Sequence, residues 1–329
     1  MDSFKAFWVE KKDKEVRHSI INRSIDDLPE GEVLIRVLYS SLNYKDALSA
    51  KGLPGVTRNY PHTPGIDVSG VVETSSVAEL KKGDEVIVTG FDLGMNTPGG
   101  FGQYVSVPAN WVVRNPKNMG LRDSMIYGTA GLTAALCYKK LLSMNAVPGD
   151  GPVLVTGSTG GVGSVAVSLL SSEGFEVIAC TGKSDQRDYL KSIGATSVVS
   201  RQELEELNSG PMGKEKFGHV VDTVGGSILS NALKSLCYGG SAAICGLVAS
   251  PKFDATVLPF ILRNINLLGV DSVEISLNEK RDAWDRLAND WMLKNLESLA
   301  SEISLEQLAP EIDNIFSGQV VGRKVVCLK

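Results

Sequence analysis

A glycine-rich stretch between residues 153 and 163 has the residue types that bind a phosphate group. An apolar run, Val153 to Val155, is short enough for a buried strand, and apolar residues return with helical spacing from Val165 to Leu170. Between them lies Ser158-Thr-Gly160-Gly161-Val-Gly163. Strand, glycine turn and helix open a βαβ unit that binds the pyrophosphate of a dinucleotide. Glycines let the backbone approach the anion, and N–H groups at the helix N-terminus face it.

The glycine loop departs from the dinucleotide fingerprint G-x-G-x-x-G at its first position, where Ser158 replaces a glycine. A glycine turn alone is a weak indication, because ordinary strand-to-helix turns share its composition. The sequence that follows strengthens it, since four further apolar segments lie at intervals that leave room for helices: 176–180, 196–200, 219–224 and 241–247. Strands that alternate with helices predict a parallel, doubly wound sheet.

The loop after the second predicted strand indicates which dinucleotide is bound. A unit that binds NAD usually carries Asp or Glu about 20 residues past the first glycines, where the acid binds the ribose 2′-hydroxyl. Here the loop reads Thr181-Gly182-Lys183-Ser184 and offers a cation with hydroxyl groups, which suit a 2′-phosphate. The loop therefore favours NADPH over NADH. The alternative is that Lys183 is a solvated loop lysine, with Asp185 close by.

Composition excludes several function classes. The chain has 329 residues, 43% of them hydrophobic and 22% charged, which is typical of a globular protein with about two domains. A net charge of −5 without a basic block predicts no nucleic-acid partner. No apolar run reaches 18 residues and the first residues lack a signal-peptide pattern, so we expect no membrane association. Five scattered cysteines without C-x-x-C indicate a cytoplasmic protein with cysteines in its core.

The element pattern predicts two domains, one inserted in the other. Short strand candidates separated by turn residues fill the first 120 residues: 4–9, 33–39, 66–73, 85–89, 102–107 and 111–113. A helical region follows at 121–147, then the βα repeats to about 265, helices at 279–293 and 305–315, and a strand at 324–328. We predict an α/β fold in which a doubly wound parallel sheet (124–266) is inserted in a β-rich, barrel-like domain (1–123 and 267–329).

Several strings point to a known family. The strings Asn43-Tyr44-Lys-Asp46, Pro64-Gly65-Ile66-Asp67-Val-Ser-Gly70 and Tyr-Gly128-Thr129-Ala-Gly131, with the order of elements, resemble the medium-chain dehydrogenase/reductase superfamily over essentially the whole chain. The sequence is most similar to the zinc-free quinone oxidoreductase-like branch. Within it, the segments 43–48, 126–131, 259–263 and 269–273 resemble the acrylyl-CoA reductase group. This resemblance implies a Rossmann domain inserted in a GroES-like barrel domain.

The resemblance also allows a test for zinc. Zinc alcohol dehydrogenases of this superfamily carry Cys-x-x-Asp and Gly-His-Glu, but here Asn43 replaces the cysteine and Ile66 replaces the histidine. A catalytic zinc needs three protein ligands, and the only histidines, His18, His62 and His219, are far apart in the sequence. We expect no metal. Without a Lewis acid, alcohol oxidation is disfavoured and reduction of a polarised C=C bond remains accessible.

The implied activity is NADPH-dependent reduction of acryloyl-CoA to propanoyl-CoA, with hydride transfer to the β-carbon. The alternatives are an NADPH quinone or enone oxidoreductase, and a non-catalytic NADPH-binding sensor or structural protein. The resemblance places Tyr44 beside the nicotinamide, where it orients the ring or relays a proton; otherwise it is a packing residue at a strand end. Asn43 binds cofactor or substrate, or else caps the local turn. Asp46 and Asp67 are expected to be structural, each holding backbone N–H groups.

The predicted cofactor contacts combine the glycine loop with positions taken from the family. The pyrophosphate contacts are Ser158, Thr159, Gly160, Gly161 and Val162, and the 2′-phosphate contacts are Thr181, Gly182, Lys183 and Arg201. The contacts at the nicotinamide end are Tyr44, Thr129 and Leu247. Further cofactor positions that the resemblance implies are Ile261, Ser272, Gln319 and Arg323. Arg201 has the alternative of a solvent-facing side chain. A homodimer is expected, because family members commonly pair through the edge of the nucleotide-domain sheet and the segment 241–247 would otherwise leave an apolar edge.

Overall fold

The computed structural model describes residues 3–13, 15–207 and 209–329. It divides into two compact units. Unit 1 comprises Met1–Thr129, Ser272–Asp290 and Ala300–Lys329, and unit 2 comprises Ala130–Asp271 and Trp291–Leu299. The segment Trp291–Leu299, placed in the β-rich domain by sequence, lies with unit 2 because the Trp291 ring packs edge-on against Tyr138, with centroids 5.1 Å apart. The predicted domain limits of 123/124 and 266/267 stay a prediction.

The elements run in the following order. The first part of the chain contains β1 (Ser3–Lys12), β2 (Glu15–Ser24), β3 (Val33–Leu42), α1 (Tyr44–Ala50), β4 (Asp67–Ser75), β5 (Glu85–Thr89), β6 (Tyr104–Val107), β7 (Val112–Arg114) and α2 (Leu121–Ser143). The centre contains β8 (Val153–Val155), α3 (Gly161–Ser172), β9 (Val177–Thr181), α4 (Arg187–Ser192), β10 (Ser197–Ser200), α5 (Arg201–Glu205), β11 (Phe217–Asp222), α6 (Gly226–Lys234), β12 (Leu236–Ile244), α7 (Leu258–Arg263) and β13 (Asn266–Gly269). The last part contains α8 (Leu277–Ala288), β14 (Ala300–Ser304), α9 (Leu308–Phe316) and β15 (Arg323–Cys327). Short 3-10 helices lie at Ile25–Asp27, Ala109–Trp111, Ser184–Gln186, Leu296–Leu299 and Leu305–Gln307.

Unit 1 is built on a seven-stranded sheet in the order β14-β15-β3-β4-β5-β7, with β6 also paired to β3. All of its pairings are antiparallel except β14 with β15. β3 lies at its centre because Val33, Ile35 and Val37 alternate with less buried residues and point into the core. A separate hairpin joins β1 to β2.

Unit 2 is built on six parallel strands in the order β10-β9-β8-β11-β12-β13. Counted from β8, this is the order 3-2-1-4-5-6 of a dinucleotide-binding sheet. The strands are buried apolar runs, as in β8 and β11, because helices cover both faces of such a sheet. The predicted fold class, with one parallel sheet and a separate β-rich unit, is confirmed.

The structure differs from the sequence prediction at the edge of the parallel sheet. The segment 241–247 was expected to form the last strand, but β12 begins at Leu236, ends at Ile244 and pairs on its outer side with β13. β13 is therefore the edge strand. Sequence analysis also missed β2, of which only one residue is fully buried and which lacks an apolar alternation. No helix in the described ranges is long and apolar enough to cross a membrane.

Candidate functional site

Three strand ends bring a set of polar side chains together in unit 1. β3 ends one residue before Asn43, β4 begins at Asp67, and β15 begins at Arg323. In the sheet, Lys324 lies opposite Leu42. The register therefore gathers side chains that are far apart in the sequence.

Asp67 is the central acceptor of this set. Its carboxylate is fully buried and accepts hydrogen bonds from Ser41 Oγ at 2.5 Å and from Asn43 Nδ2 at 2.7 Å. It also accepts two from Thr129, from the backbone N–H at 2.9 Å and from the hydroxyl at 2.5 Å. Hydrogen bonds to an ionised acceptor are stronger than neutral ones, so Asp67 fixes the orientation of Asn43 and Thr129. The structural role predicted for Asp67 is confirmed.

Arg323 supplies the charge opposite Asp67. Its side chain is 2% exposed, and its Nη2 lies 3.8 Å from Asp67 Oδ2. Nη2 donates to Ser41 Oγ at 2.8 Å, and Nη1 donates to Asn43 Oδ1 at 3.2 Å. Burial lowers the pKa of Arg323, while Asp67 and Asp46 oppose that shift. These partners lie inside unit 1, where a buried carboxylate requires a paired charge. The predicted contact of Arg323 with the cofactor stays a prediction.

α2 is broken at Gly128, directly beside this set. Its φ of 51° and ψ of −157° lie where residues with a side chain are strained. A Cβ added there would lie 2.4 Å from Ser41 Oγ, 2.5 Å from Asp67 Oδ2 and 2.7 Å from Arg323 Nη2. A glycine is therefore needed both for the turn and for the ion pair, and the break presents the N–H of Thr129 to Asp67.

Asp46 fixes the loop that leads into α1. It is fully buried, and its two oxygens accept the backbone N–H of Asn43 at 2.8 Å and of Ile66 at 2.9 Å. Burial, followed by the neighbouring charge of Asp67, raises the pKa of Asp46 to about 7. The predicted role of Asp46, holding backbone N–H groups, is confirmed. Because Asn43 is also bound through both side-chain polar atoms, the loop is held at three points.

Tyr44 is the first residue of α1 and lies directly after this loop. It is half-buried, and its ring stacks on that of Phe316, with centroids 6.3 Å apart and planes within 6° of parallel. Among the described residues we find no hydrogen-bond partner for the Tyr44 hydroxyl. The phenol is thus oriented through its ring, and its hydroxyl is available to a bound molecule.

In unit 2, the predicted glycine loop joins β8 to α3. α3 begins at Gly161 after Gly160, which has no side chain to cap the helix N-terminus. A Cβ added at Gly163 would lie 2.3 Å from the carbonyl oxygen of Gly157, so the loop packs tightly on the helix. Uncapped N–H groups at the positive end of a helix dipole suit a pyrophosphate. This arrangement fits a dinucleotide at Gly160, Gly161 and Val162.

Ser158 has a different environment from the one predicted. It is fully buried, its hydroxyl donates to the carbonyl oxygen of Val155 at 2.6 Å, and its N–H donates to that of Cys180 at 3.1 Å. Both of its donors are thus used inside unit 2, because Ser158 occupies the tight turn where the fingerprint has its first glycine. Thr159 is also buried, with its Oγ1 3.4 Å from that of Thr181.

The predicted 2′-phosphate residues lie together at the end of β9. The Thr181 hydroxyl accepts the N–H of Lys183 at 3.0 Å and so shapes the turn. The Arg201 guanidinium lies beside Gly182, 3.5 Å from where a Cβ would be placed. Burial lowers the pKa of Lys183, while Asp185 opposes that shift. The loop thus combines two cations with a hydroxyl, which is the donor set that a phosphate monoester requires.

The remaining predicted contacts lie outside both clusters. Leu247 and Ile261 of unit 2 are 59% and 69% exposed, and Gln319 of unit 1 is also exposed. Ser272 of unit 1 is buried. Their cofactor roles stay predictions.

Two positions of unit 1 correspond to the zinc-ligand positions of zinc alcohol dehydrogenases. Asn43 and Ile66 stand there, and His62 is buried with its Nε2 2.8 Å from the carbonyl oxygen of Gly94. Burial lowers the pKa of His62. Across the part of the chain that the structure describes, no three His, Cys, Asp or Glu side chains are grouped so as to hold a metal ion.

Sequence reasoning missed two contributors to the unit 1 set, Ser41 and Phe316. Ser41 is the last but one residue of β3, so its strand position gave a signal that it lies near Asn43. Phe316 is at the end of α9, and nothing in the local sequence relates it to Tyr44.

Comparisons with known proteins agree with this description. Residues 29–117 match the alcohol dehydrogenase GroES-like domain, and residues 161–289 match the zinc-binding dehydrogenase family. The chain is 42% identical to the acrylyl-CoA reductase AcuI of Ruegeria pomeroyi, over 98% of both proteins. It is 40% identical to the "Putative quinone oxidoreductase YhfP" of Bacillus subtilis, over 99% of both.

Solved structures are also similar to this chain over nearly its whole length. The yhdH oxidoreductase from Salmonella enterica in complex with NADP superposes with a TM-score of 0.96 at 40% identity, over 99% of this chain and 100% of the other. Bacillus subtilis yhfP with NAD bound gives a TM-score of 0.97 at 40% identity, over the whole of both chains. The chain therefore belongs to the medium-chain dehydrogenase/reductase superfamily, and within it to the zinc-free quinone oxidoreductase-like branch of oxidoreductases.

Proposed function

We propose that the protein uses NADPH to reduce the C=C bond of acryloyl-CoA, giving propanoyl-CoA. The observation that carries the proposal is the end of β9, where Lys183 and the Arg201 guanidinium flank Gly182 and no acid replaces them. This donor set favours a 2′-phosphate. The thioester substrate is supported by the 42% identity with an acrylyl-CoA reductase over nearly the whole chain.

When bound, NADPH supplies a hydride to the β-carbon of the unsaturated thioester. The residues of this chain have separate tasks. Gly160, Gly161 and Val162 bind the pyrophosphate through backbone N–H groups, and Lys183 with Arg201 binds the 2′-phosphate. These contacts fix one end of the cofactor, which confines the reacting carbons to a narrow range of positions.

In unit 1, the Tyr44 hydroxyl is proposed to act at the reacting end. It orients the nicotinamide ring and donates a hydrogen bond toward the enolate oxygen, or passes a proton to the α-carbon. Asn43 and Thr129 act through the buried set that fixes them, and they hold the start of α1 in place. Donors that are already oriented stabilise developing charge without reorganisation, which is the main source of catalysis in this scheme.

A quinone or enone is the second candidate substrate. The 40% identity with the Bacillus subtilis protein named as a quinone oxidoreductase favours it, and a hydride transferred to a quinone carbon needs the same cofactor residues. The two candidates differ only in the electrophile.

We also propose a cytoplasmic homodimer. β13 is one of the two edge strands of the parallel sheet and leaves backbone hydrogen-bonding groups without a neighbouring strand, which favours pairing with a second copy. Tyr238, Val257 and Ile261, all in unit 2, are large apolar side chains that are at least two thirds exposed. All five cysteines are free, as expected in a reducing compartment. Light scattering that gives the mass of one chain would contradict the dimer.

The test of function is the absorbance decay of NADPH in the presence of purified protein. Acryloyl-CoA, crotonyl-CoA and a benzoquinone are offered in parallel, with NADH as the cofactor control. We expect the highest kcat/KM for acryloyl-CoA with NADPH. Turnover of the quinone alone would replace the thioester assignment with the second candidate. Binding of NADPH without turnover of any substrate would contradict both.

A further inference from the structure

Two aromatic rings in unit 1 are held face to face by separate parts of the chain. Tyr44 begins α1 and Phe316 ends α9, and their rings are nearly parallel with centroids 6.3 Å apart. This separation is within the range for offset stacking of aromatic side chains. The contact brings a residue from the C-terminal part of the chain next to the tyrosine at the proposed reacting end.

Phe316 is anchored independently of Tyr44. Its helix, α9, buries Leu308 and Ile312 in the core of unit 1. The Lys51 ammonium of the α1 C-terminus pairs with Asp313, one turn before Phe316, and lies 5.8 Å from the centre of the Phe316 ring. The position of the ring is therefore set by the core and by an ion pair.

The orientation of the half-buried Tyr44 side chain depends on the Phe316 ring more than the orientation of a fully buried tyrosine would. No described residue accepts or donates a hydrogen bond at its hydroxyl, so packing restrains its side-chain rotation, and the stack on Phe316 is part of that packing. A freely rotating phenol would be correctly placed for only part of the time. Misplacement of a reacting group lowers the rate even when binding is unchanged.

Phe316 also remains 40% exposed, although it is large and apolar. A side chain that served only to pack α9 on the core would be expected to be buried as Leu308 and Ile312 are. The contacts made by its ring are the Tyr44 stack and the Lys51 ammonium, both from the α1 region.

We propose that Phe316 is a positioning residue that holds the Tyr44 phenol in its productive orientation. This inference rests on the proposed function, because it assigns a task to Tyr44. Its signature is a loss in kcat with little change in KM, since Phe316 acts on the orientation of Tyr44 and not on the affinity for the substrate.

The experiment is a double-mutant cycle of Phe316→Ala and Tyr44→Ala, with kcat and KM measured for NADPH and the preferred substrate. Phe316→Ala alone is expected to lower kcat roughly 10-fold with KM within about 3-fold. In the Tyr44→Ala background, the same substitution is expected to change kcat by less than about 2-fold, because its effect passes through Tyr44. Equal losses in both backgrounds would overturn the proposal, and so would unchanged kcat in the single variant.

Two further variants keep the test decisive. Phe316→Leu retains apolar bulk without a planar ring and is expected to fold and to recover part of kcat; full recovery would show that bulk alone matters and would overturn the stacking role. Tyr104→Ala removes an aromatic partner of Phe4 elsewhere in unit 1 and is expected to leave kcat unchanged. The failures are distinguishable. A wild-type protein without turnover contradicts the proposed function. An active wild type whose kcat is unchanged by Phe316→Ala contradicts only this inference.

Discussion

The polar set of unit 1 and the glycine loop of unit 2 satisfy their polar groups in opposite ways. In unit 1, Asp67, Arg323 and Asn43 bind one another and leave few donors for a ligand. In unit 2, Gly160 leaves the N-terminus of α3 without a side-chain cap, and two cations flank Gly182. The polar groups of the first region have their partners within the protein, whereas the N–H groups and cations of the second are suited to a bound anion. We infer that unit 1 contributes a rigid frame of side chains and that unit 2 contributes affinity for the cofactor.

Mutations in the two regions should therefore affect different properties of the protein. Substitutions in the polar set should reduce stability first and activity as a result, because buried groups lose their partners. Substitutions at the anion-binding loop should reduce cofactor affinity and leave the free energy of unfolding nearly unchanged.

The largest effect is expected for Arg323→Met. Removing one partner of a buried ion pair leaves an uncompensated charge and costs about 3–5 kcal/mol. We expect this loss in urea denaturation, with partial recovery in the double variant Arg323→Met/Asp67→Asn. Arg17→Met is the control, because its ion pair with Glu15 is more than three quarters exposed on both sides and should contribute little. Unchanged stability together with weaker NADPH binding would instead support a direct cofactor contact.

A second test of the rigid frame uses pH. Burial and Asp67 raise the pKa of Asp46 to about 7, so the folded protein binds a proton that the unfolded chain releases at lower pH. The stability contributed by the protonated acid is complete below the unfolded pKa and is lost as pH rises through about 7. We expect the free energy of unfolding to fall by on the order of 2 kcal/mol between about pH 5 and about pH 8.

Asp46→Asn provides the comparison for this pH profile. Its side chain cannot ionise, so the decline between the two pH values should become shallower, although one backbone N–H loses its acceptor. Asp67 and Arg323 are the charged groups that act on Asp46, and both remain in the variant. A profile identical to that of the wild type would show that Asp46 does not titrate in this range.

The anion-binding loop is tested by Lys183→Glu. Replacing a cation with an anion beside the 2′-phosphate should raise the Kd for NADPH by roughly 10- to 100-fold and change that for NADH much less, because NADH lacks this phosphate. Fluorescence titration with both nucleotides measures the ratio. Lys191→Glu makes the same charge change on an exposed residue of α4 and serves as control. Equal losses for both nucleotides would contradict the 2′-phosphate assignment.

The same comparison explains what the sequence could predict. The anion-binding residues lie within one stretch of chain. Its apolar runs, its glycines and the Thr181–Lys183 turn could therefore be recognised from the local sequence. The polar set depends on three strand ends from distant parts of the chain, and neither the Arg323–Asp67 pair nor the Phe316–Tyr44 stack has a local signal. β12 was predicted too short because Gly239 and Gly240 interrupt its apolar run, and β13 was not recognised as an edge strand because it is only four residues long.

The smallest effect is expected at Ser158, where the sequence and the structure differ most directly. Its hydroxyl donates to Val155 O inside unit 2, so Ser158→Ala should lower stability by about 1 kcal/mol, the typical net value of one hydrogen bond. The Kd for NADPH should stay within about 2-fold of the wild type, because the backbone N–H groups that follow carry the pyrophosphate. Both quantities come from one set of thermal-shift titrations. If the hydroxyl does contact the cofactor, affinity will fall with little change in the stability of the free protein, and Ser158 will belong with the anion-binding residues after all.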